Sequence, residues 1–437
     1  MIRYVIDRAG LAEQLKSGDY TLIAPTNTAF AEMGFGANTN AILEKLSTAQ
    51  LTELAKNHII ASKLDIKTVT GSKDIQTQTK TVKITRKDND YYVDGGDITH
   101  MQVAATNGYL YVINRVILSP SFLGANMIQT LLTRVVPSTF TYFQAAVIKA
   151  STGGTDYNAL LTGPTPYTLF APDNNAFIRG GYATVAAVSA APVADLDELL
   201  KRHIYVGTKL TSDFDSVAVT NFGGTTGYFD REKIRITGGV VTTLNYLNGV
   251  PFNGRGASSN SVHTTGSVYH AVSQLLPKPI ATTTLATIQS DTDLTFFAAA
   301  IDEASKKTGT TVDFNALLSG PRSYTVFAPT DVAFIAAGYA NVAAVRAETI
   351  SNLTTMLKYH IINRRRTSWS IGNNAISNLL ALTNPNNVLA TRTISVSVIG
   401  GYTVLGAGNN GLSATVTSAD VVTTNGVLNI INKVLVP

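Results

Sequence analysis

The side chains of this chain best suited to chemistry are six histidines and a few paired carboxylates, with no cysteine among them. Three histidines recur, each followed by isoleucine: His58, His203 and His360. A catalytic imidazole needs an acid or a nucleophile within hydrogen-bond reach, and no such group recurs at a fixed offset from all three. They read instead as neutral core residues, since leaving the ring nitrogens unpaired would cost about 1 to 3 kcal/mol. Asp213-Phe214-Asp215 offers two carboxylates but lacks the glycine and distal glutamate of a calcium loop, so it reads as a solvated acidic turn. His263 and His270, seven apart across a turn at Gly266, would meet in a hairpin and could share a metal, with His100 before the Asn107 turn as the only echo. The absence of cysteine excludes disulfides, thiolate metal sites and cysteine nucleophiles. No Gly-x-Ser-x-Gly elbow, His-Glu-x-x-His helix or Gly-Lys-Ser/Thr phosphate loop is present. The expectation is a protein without cofactor, metal or catalytic residue.

The recurrent histidines belong to a larger recurrence. YTLIAPTNTAF (Tyr20 to Phe30), YTLFAPDNNAF (Tyr167 to Phe177) and YTVFAPTDVAF (Tyr324 to Phe334) are versions of one block. The distance from its tyrosine to the His-Ile pair is 38, 36 and 36 residues. Each block begins as a strand, is stopped by a proline that cannot donate to a ladder, and continues as a short helix. Thr26 or Asn27, Asp173 or Asn174, and Thr330 or Asp331 are placed to cap that helix, a reading preferred here to ligand binding.

The histidines lie on amphipathic helices. Leu51, Leu54, Ala55, His58 and Ile59 fall at i, i+3, i+4, i+7 and i+8, as do Leu196, Leu199, Leu200, His203 and Ile204, and Leu353, Met356, Leu357, His360 and Ile361. Ser47 with Gln50 and Asp195 with Glu198 form expected capping boxes. A third mark, NGYLYVINRVIL (from Asn107), TGSVYHAVSQLLP (from Thr265) and NGVLNIINKVLVP (from Asn425), reads as a hairpin turn of positive φ followed by an apolar strand. Between helix and turn lie Thr-, Val- and Gly-rich segments of strand periodicity. Each unit is therefore α+β, helices first and antiparallel strands later.

Composition is that of a globular chain: 437 residues, 45% hydrophobic and only 14% charged, with a net charge of +5. That length suits about three domains of ordinary size. The positive charge is diffuse and Arg364-Arg365-Arg366 has no interleaved aromatics, which argues against nucleic-acid binding. No apolar run reaches the roughly 18 residues needed to span a bilayer. Phe122 to Phe140 and Pro279 to Leu294 precede the tyrosine block in repeats two and three, whereas repeat one has 19 residues there, so an incomplete start and a missing export signal are expected.

The tyrosine block, the central His-Ile helix and the closing Asn-Gly-hydrophobic strand together resemble the fasciclin-type cell-adhesion domain, over nearly the whole chain. The resemblance implies three tandem domains at 1–118, 119–278 and 279–437, each a wedge-shaped β-sandwich with helices packed on one side. It also implies an extracellular or cell-surface location, in the style of bacterial outer-membrane lipoproteins, and a role in adhesion. In relatives a Tyr-His pair in the histidine helix and an acidic closing strand are associated with integrin binding. Only Tyr359-His360 preserves the pair, where the other repeats have Asn57-His58 and Arg202-His203. Asn432-Lys433-Val434-Leu435 and Asn114-Arg115-Val116-Ile117 lack the acidic residue and are read as core.

The functional expectation is a non-enzymatic adhesion or scaffold protein that binds protein or glycan partners, not nucleic acid, through exposed loops of a multi-domain rod. Proline-rich linkers at Ser119-Pro120-Ser121 and Leu276-Pro277-Lys278-Pro279 would stiffen that rod. Tyr359, His360 and Trp369 are the candidate partner contacts, and Asn221 to Gly227, Asn248 to Asn260 and Arg364 to Asn374 the candidate loops. The second reading is a carbohydrate-binding module using Tyr228, Phe229, Tyr246, Phe252 or Trp369.

Overall fold

The computed structural model describes residues 1–31, 43–87, 89–118, 140–215, 218–235, 241–253, 262–263, 266–306, 312–372, 375–379 and 393–437. It divides into two compact units, one of Met1–Tyr246 with Pro251–Leu275, the other of Leu247–Val250 with Leu276–Pro437. The extra segment expected before the second tyrosine block falls largely outside the described residues. Before the third block the chain forms the helix Thr284–Ser290.

Each tyrosine block is a strand, Tyr20–Pro25, Tyr167–Pro172 and Tyr324–Pro329. The helix that follows is capped by the first polar residue after the proline. Thr26, Asp173 and Thr330 each accept the amide hydrogen three residues on, from Ala29, Ala176 and Ala333. The capping reading of these polar clusters holds in all three repeats. The histidine helices are Thr48–Lys56, Val193–His203 and Ile350–His360, with His58 just past the end of the first. The expected box of Ser47 and Gln50 forms. The one at Asp195 and Glu198 does not, because that helix begins two residues earlier, behind Pro192, and Asp195 sits within its first turn.

The expected antiparallel sheet needs a correction. The tyrosine-block strand lies between two partners. On one side it pairs antiparallel with the short strand after the histidine helix, through Thr21↔Ile60, Thr168↔Tyr205 and Thr325↔Ile362. On the other it pairs parallel with the closing strand, through Tyr20↔Gly108, Thr168↔Val268 and Tyr324↔Gly426. In repeats one and three the sheet continues from the closing strand through antiparallel neighbours to seven strands. In repeat two the described strands form two four-stranded sheets. A parallel pair joins segments some 88 residues apart in repeat one, which short-range periodicity cannot reveal.

The Asn-Gly turns also work differently from expectation. Neither Asn107-Gly108 nor Asn425-Gly426 has a positive φ. Asn107 donates Nδ2 to the carbonyls of Leu15 and Gly18 at 2.9 Å each, and Asn425 to those of Leu318 and Gly320 at 2.8 Å each. The asparagine thus ties the segment before the tyrosine block to the start of the closing strand. The glycine is required because the neighbouring parallel strand passes too close for a side chain. A Cβ on Gly108 would overlap the Tyr20 carbonyl oxygen, and one on Gly426 would lie 2.5 Å from that of Tyr324.

Apolar residues sort into a helix layer and a sheet layer. Ile23, Val82, Ile84, Val93, Tyr111 and Ile113 fill the sheet layer of repeat one, and Phe327, Ile394, Val404 and Ile431 that of repeat three. On the helix side repeat three has its own cluster, centred on Phe297, Phe334 and Leu357. One continuous cluster contains Val5, Phe30 and Leu54 of repeat one together with Phe143, Phe177 and Leu200 of repeat two. On the helix side, then, the first two repeats share one apolar cluster, while the sheet layer of repeat one stays its own.

Replacing Gly108 by alanine should destabilise the first unit by about 3 kcal/mol or more, since the parallel pairing must open to admit a methyl group. Gly154→Ala, where a Cβ meets nothing within 4 Å, should change stability by less than about 1 kcal/mol. Denaturant midpoints of the two variants measure the contrast.

Candidate functional site

In repeats one and three the recurrent imidazole links its helix to the chain just past the end of the closing strand. His58 places Nδ1 2.8 Å from the Leu54 carbonyl, one turn back, while Nε2 accepts the Ile117 amide hydrogen at 2.9 Å. His360 does the same with the Met356 carbonyl at 2.8 Å and the Leu435 amide at 2.9 Å. His203 keeps the first contact, to the Leu199 carbonyl at 2.7 Å. The carbonyl can only accept and the amide can only donate, which fixes a neutral ring with its proton on Nδ1. Burial lowers the pKa to about 4 for His58 and His360 and about 3 for His203, the helix carbonyl partly opposing the shift. These imidazoles are scaffold pins, as their place on the apolar stripe suggested.

Tyr359 and His360, expected to contact a partner, are both fully buried. The Tyr359 hydroxyl donates to the Thr393 carbonyl at 2.9 Å and accepts the Ala407 amide at 2.9 Å. The folded repeat therefore offers neither side chain to a partner, and the pair is corrected from surface contact to core. Trp369 belongs to the short helix Ser368–Ile371, but its side chain lies outside the described residues. Among the proposed sugar-stacking aromatics, Phe229, Tyr246 and Phe252 are buried. Phe229 and Phe252 pack with Phe170, Phe214 and His270 in one ring cluster, where Phe214 stacks on Phe229 at 4.5 Å. Tyr228 is partly exposed. His270 is buried with Nε2 2.9 Å from the Lys209 carbonyl, while the His263 side chain lies outside the described residues. Val434 and Leu435 are core, as expected.

The acidic turn at Asp213 to Asp215 is satisfied by a cation the sequence did not reveal. Lys87, on the strand Thr81–Lys87 of repeat one, donates from Nζ to the Ser212 and Phe214 carbonyls at 2.9 Å each and pairs with Asp215 Oδ1 at 2.6 Å. An ammonium ringed by three oxygens stands where a metal ion was considered, and no group of three or more metal-ligating side chains occurs among the described residues. Around this clamp the first two repeats meet through further polar contacts. Thr211 Oγ1 donates to the Gly95 carbonyl, and the Arg231 guanidinium lies over the Tyr92 ring at 5.2 Å while donating to its hydroxyl. Asp97 is hydrogen-bonded to Asn114, and burial raises its pKa to about 7, with Arg231 opposing. Beside these contacts opens a cleft of about 330 Å³, lined by Asp74, Lys83 and the paired Lys80 and Asp94 from repeat one and by Thr208, Leu210 and Asp213 from repeat two.

Of the candidate loops, Asn221 to Gly227 is a tight turn, in which Asn221 Oδ1 accepts the Gly223 and Thr225 amides at 2.9 and 3.1 Å. Asn248 to Asn260 is described to Asn253, and Arg364 to Asn374 to Gly372. In the latter Arg365 is buried and donates to the Thr424 carbonyl at 2.9 Å. No described helix is long and apolar enough to cross a membrane.

The fasciclin-domain family model matches residues 1–119, 138–279 and 286–437. Across its full length the chain is 25% identical to the transforming growth factor-beta-induced protein ig-h3 of Sus scrofa, of which it covers 56%. Over 114 residues, 26% of the chain, it is 30% identical to the immunogenic protein MPB70 of Mycobacterium bovis, covering 57% of that protein. The chain thus spans little more than half the length of these relatives. A solved FAS1 domain pair from the insect cell adhesion molecule fasciclin I aligns with 68% of this chain and 96% of its own, at 15% identity and a TM-score of 0.28.

The pinned histidines predict an acid-sensitive scaffold. Each folded ring refuses a proton that the unfolded ring, with an ordinary pKa of 6.5, takes up. Stability is therefore full above pH 6.5 and falls as pH drops toward 4, by about 1.4 kcal/mol per pH unit per histidine. Asp97 runs the other way, since the folded state keeps a proton up to pH about 7 that the unfolded state loses. The single variant His360→Gln should lower stability by roughly 1 to 3 kcal/mol at pH 7. It should also flatten the loss between pH 6.5 and 4 relative to the parent. Parallel pH dependences in denaturant titrations would contradict the pin.

Proposed function

Because the chain belongs to the fasciclin family, we propose that it is a non-enzymatic adhesion or scaffold protein of the cell surface or extracellular space that binds protein or glycan partners through exposed loops. Its working modules are taken to be 1–118, 119–278 and 279–437. The observation that carries the reading is the fate of what recurs. The capping hydroxyls and carboxylates, the histidine pins and, in repeats one and three, the closing-strand glycines are consumed in the scaffold. What differs between repeats is loop chemistry, which is where a scaffold carries recognition. Several modules on one chain favour multivalent attachment, in which weak contacts combine through effective concentration. Surface attachment as a lipoprotein is part of the proposal, and protease shaving of intact cells tests it.

The second reading, a carbohydrate-binding module of a nutrient-capture system, now leans on Trp369 and Tyr228, because the other candidate aromatics are core. Presenting the full chain to arrays of extracellular proteins and of glycans separates the two. Adhesion predicts protein signals that survive Trp369→Ala, whereas a sugar module predicts glycan signals that fall at least tenfold with that change. Turnover of any arrayed substrate would overturn both.

A further inference from the structure

Two turns in the molecule share a conformation and a neighbour. Asp94-Gly95 and Asn248-Gly249 each have two successive positive φ values, 48° and 77° in the first, 52° and 81° in the second. Each precedes the strand that leads toward the closing strand, and each rests against a Thr-Ser pair. In the first unit Thr211 Oγ1 donates to the Gly95 carbonyl. Within the second unit Thr367 Oγ1 donates to the Gly249 carbonyl at 3.1 Å. The fit needs glycine at both places. A Cβ on Gly95 would stand 2.8 Å from Thr211 Oγ1, and one on Gly249 would stand 3.0 Å from Thr367 Cγ2. The threonines occupy matching positions, eight residues after His203 and seven after His360.

Repeat three has the same turn in the same place. Asn410 and Gly411 have φ values of 50° and 79° and precede the strand Ala414–Thr423. Here a Cβ on the glycine meets nothing within 4 Å among the described residues. Asn410 and Gly411 are exposed, and Leu412, the counterpart of the fully buried Val250, is 63% exposed. The turn is nevertheless firmly held, since Asn409 donates Nδ2 to the Val434 carbonyl and accepts the Val436 amide on Oδ1, both at 2.9 Å. A rigid turn with an exposed leucine is preorganised for a partner, with little ordering cost on docking.

The two occupied turns define what that partner must carry. We propose that the Asn410 to Leu412 turn is a docking surface for a fasciclin-type module of another polypeptide, one whose loop after the histidine helix presents a free hydroxyl donor at the position of Thr211 and Thr367. A second copy of this chain does not qualify. Its own Thr-Ser pairs are already engaged, and Asp65 of Lys63-Leu64-Asp65-Ile66, the counterpart of Thr211 in Lys209-Leu210-Thr211-Ser212, has no proton to give a carbonyl. The proposal deepens the adhesive reading by naming one class of partner.

The test uses the full chain, isotope-labelled, with an unlabelled full-length Asp65→Thr chain as the probe. Threonine at position 65 supplies the missing donor and can still accept the Lys67 amide that Asp65 now holds at 2.9 Å. Amide resonances at Asn410, Gly411 and Leu412 should shift progressively with probe concentration and stay fixed with the unmodified chain as probe. The shifts should vanish in labelled Gly411→Val and in Leu412→Asp, which keeps the glycine turn. Asp65→Ser serves as a second probe if Asp65→Thr does not fold. No shift with either folded probe, shifts that persist in both labelled variants, or equal shifts with the unmodified chain would each overturn the proposal. Unchanged array binding by Gly411→Val would leave the broader adhesive reading standing while this one fails.

Discussion

The parallel pairing of the tyrosine-block strand with the closing strand is the constraint on which each repeat depends. It joins the first half of the repeat to the last, so its ladder closes a long loop and carries that loop's entropic cost. Three devices hold it. Glycine at the head of the closing strand allows the backbones to approach in repeats one and three, and the asparagine before it ties down the incoming chain. The histidine takes up the amide just beyond the strand's far end in the same two repeats. A neutral imidazole suits that last task because it donates on one side and accepts on the other at fixed geometry, which lysine or arginine cannot do.

The same demand explains why the recurrent residues are poor guides to binding. A polar side chain kept in all three copies satisfies a buried backbone group, because an unsatisfied one would cost more than the repeat can readily spare. Chemistry directed outward must come from what varies. The polar meeting of the first two repeats illustrates the point: Lys87, Asp215, Tyr92 and Arg231 have no equivalents at every repeat, and they make a junction specific to that pair. Paired charges there orient the two repeats, Lys87 being mostly covered while Asp215 stays exposed, and the shared apolar cluster adds hydrophobic burial between them.

Much of this was legible in the chain. The strand-stop-helix reading of the tyrosine block, its capping residues, the amphipathic histidine helices and the box at Ser47 and Gln50 all followed from local rules, and local rules held. Where they failed, something distant intervened. Asp195 and Glu198 matched a box pattern, but Pro192 started the helix earlier. Asn107-Gly108 matched a turn of positive φ, yet the glycine answers to Tyr20 across a strand pair. Tyr359, with a hydroxyl to satisfy, found its partners at Thr393 and Ala407, and so became core.

The sequence by itself determined the threefold recurrence, the α+β character, the family and the scaffold role of the histidines, because each rests on spacing along the chain or on the cost of burying an unpaired polar group. Only the tertiary structure decided which strands are parallel, that the first two repeats share an apolar cluster, that a lysine ammonium fills the acidic turn, and which glycine turn stays exposed. Those outcomes depend on contacts between residues tens to more than a hundred positions apart, and side-chain periodicity carries no record of which distant surface a residue will meet.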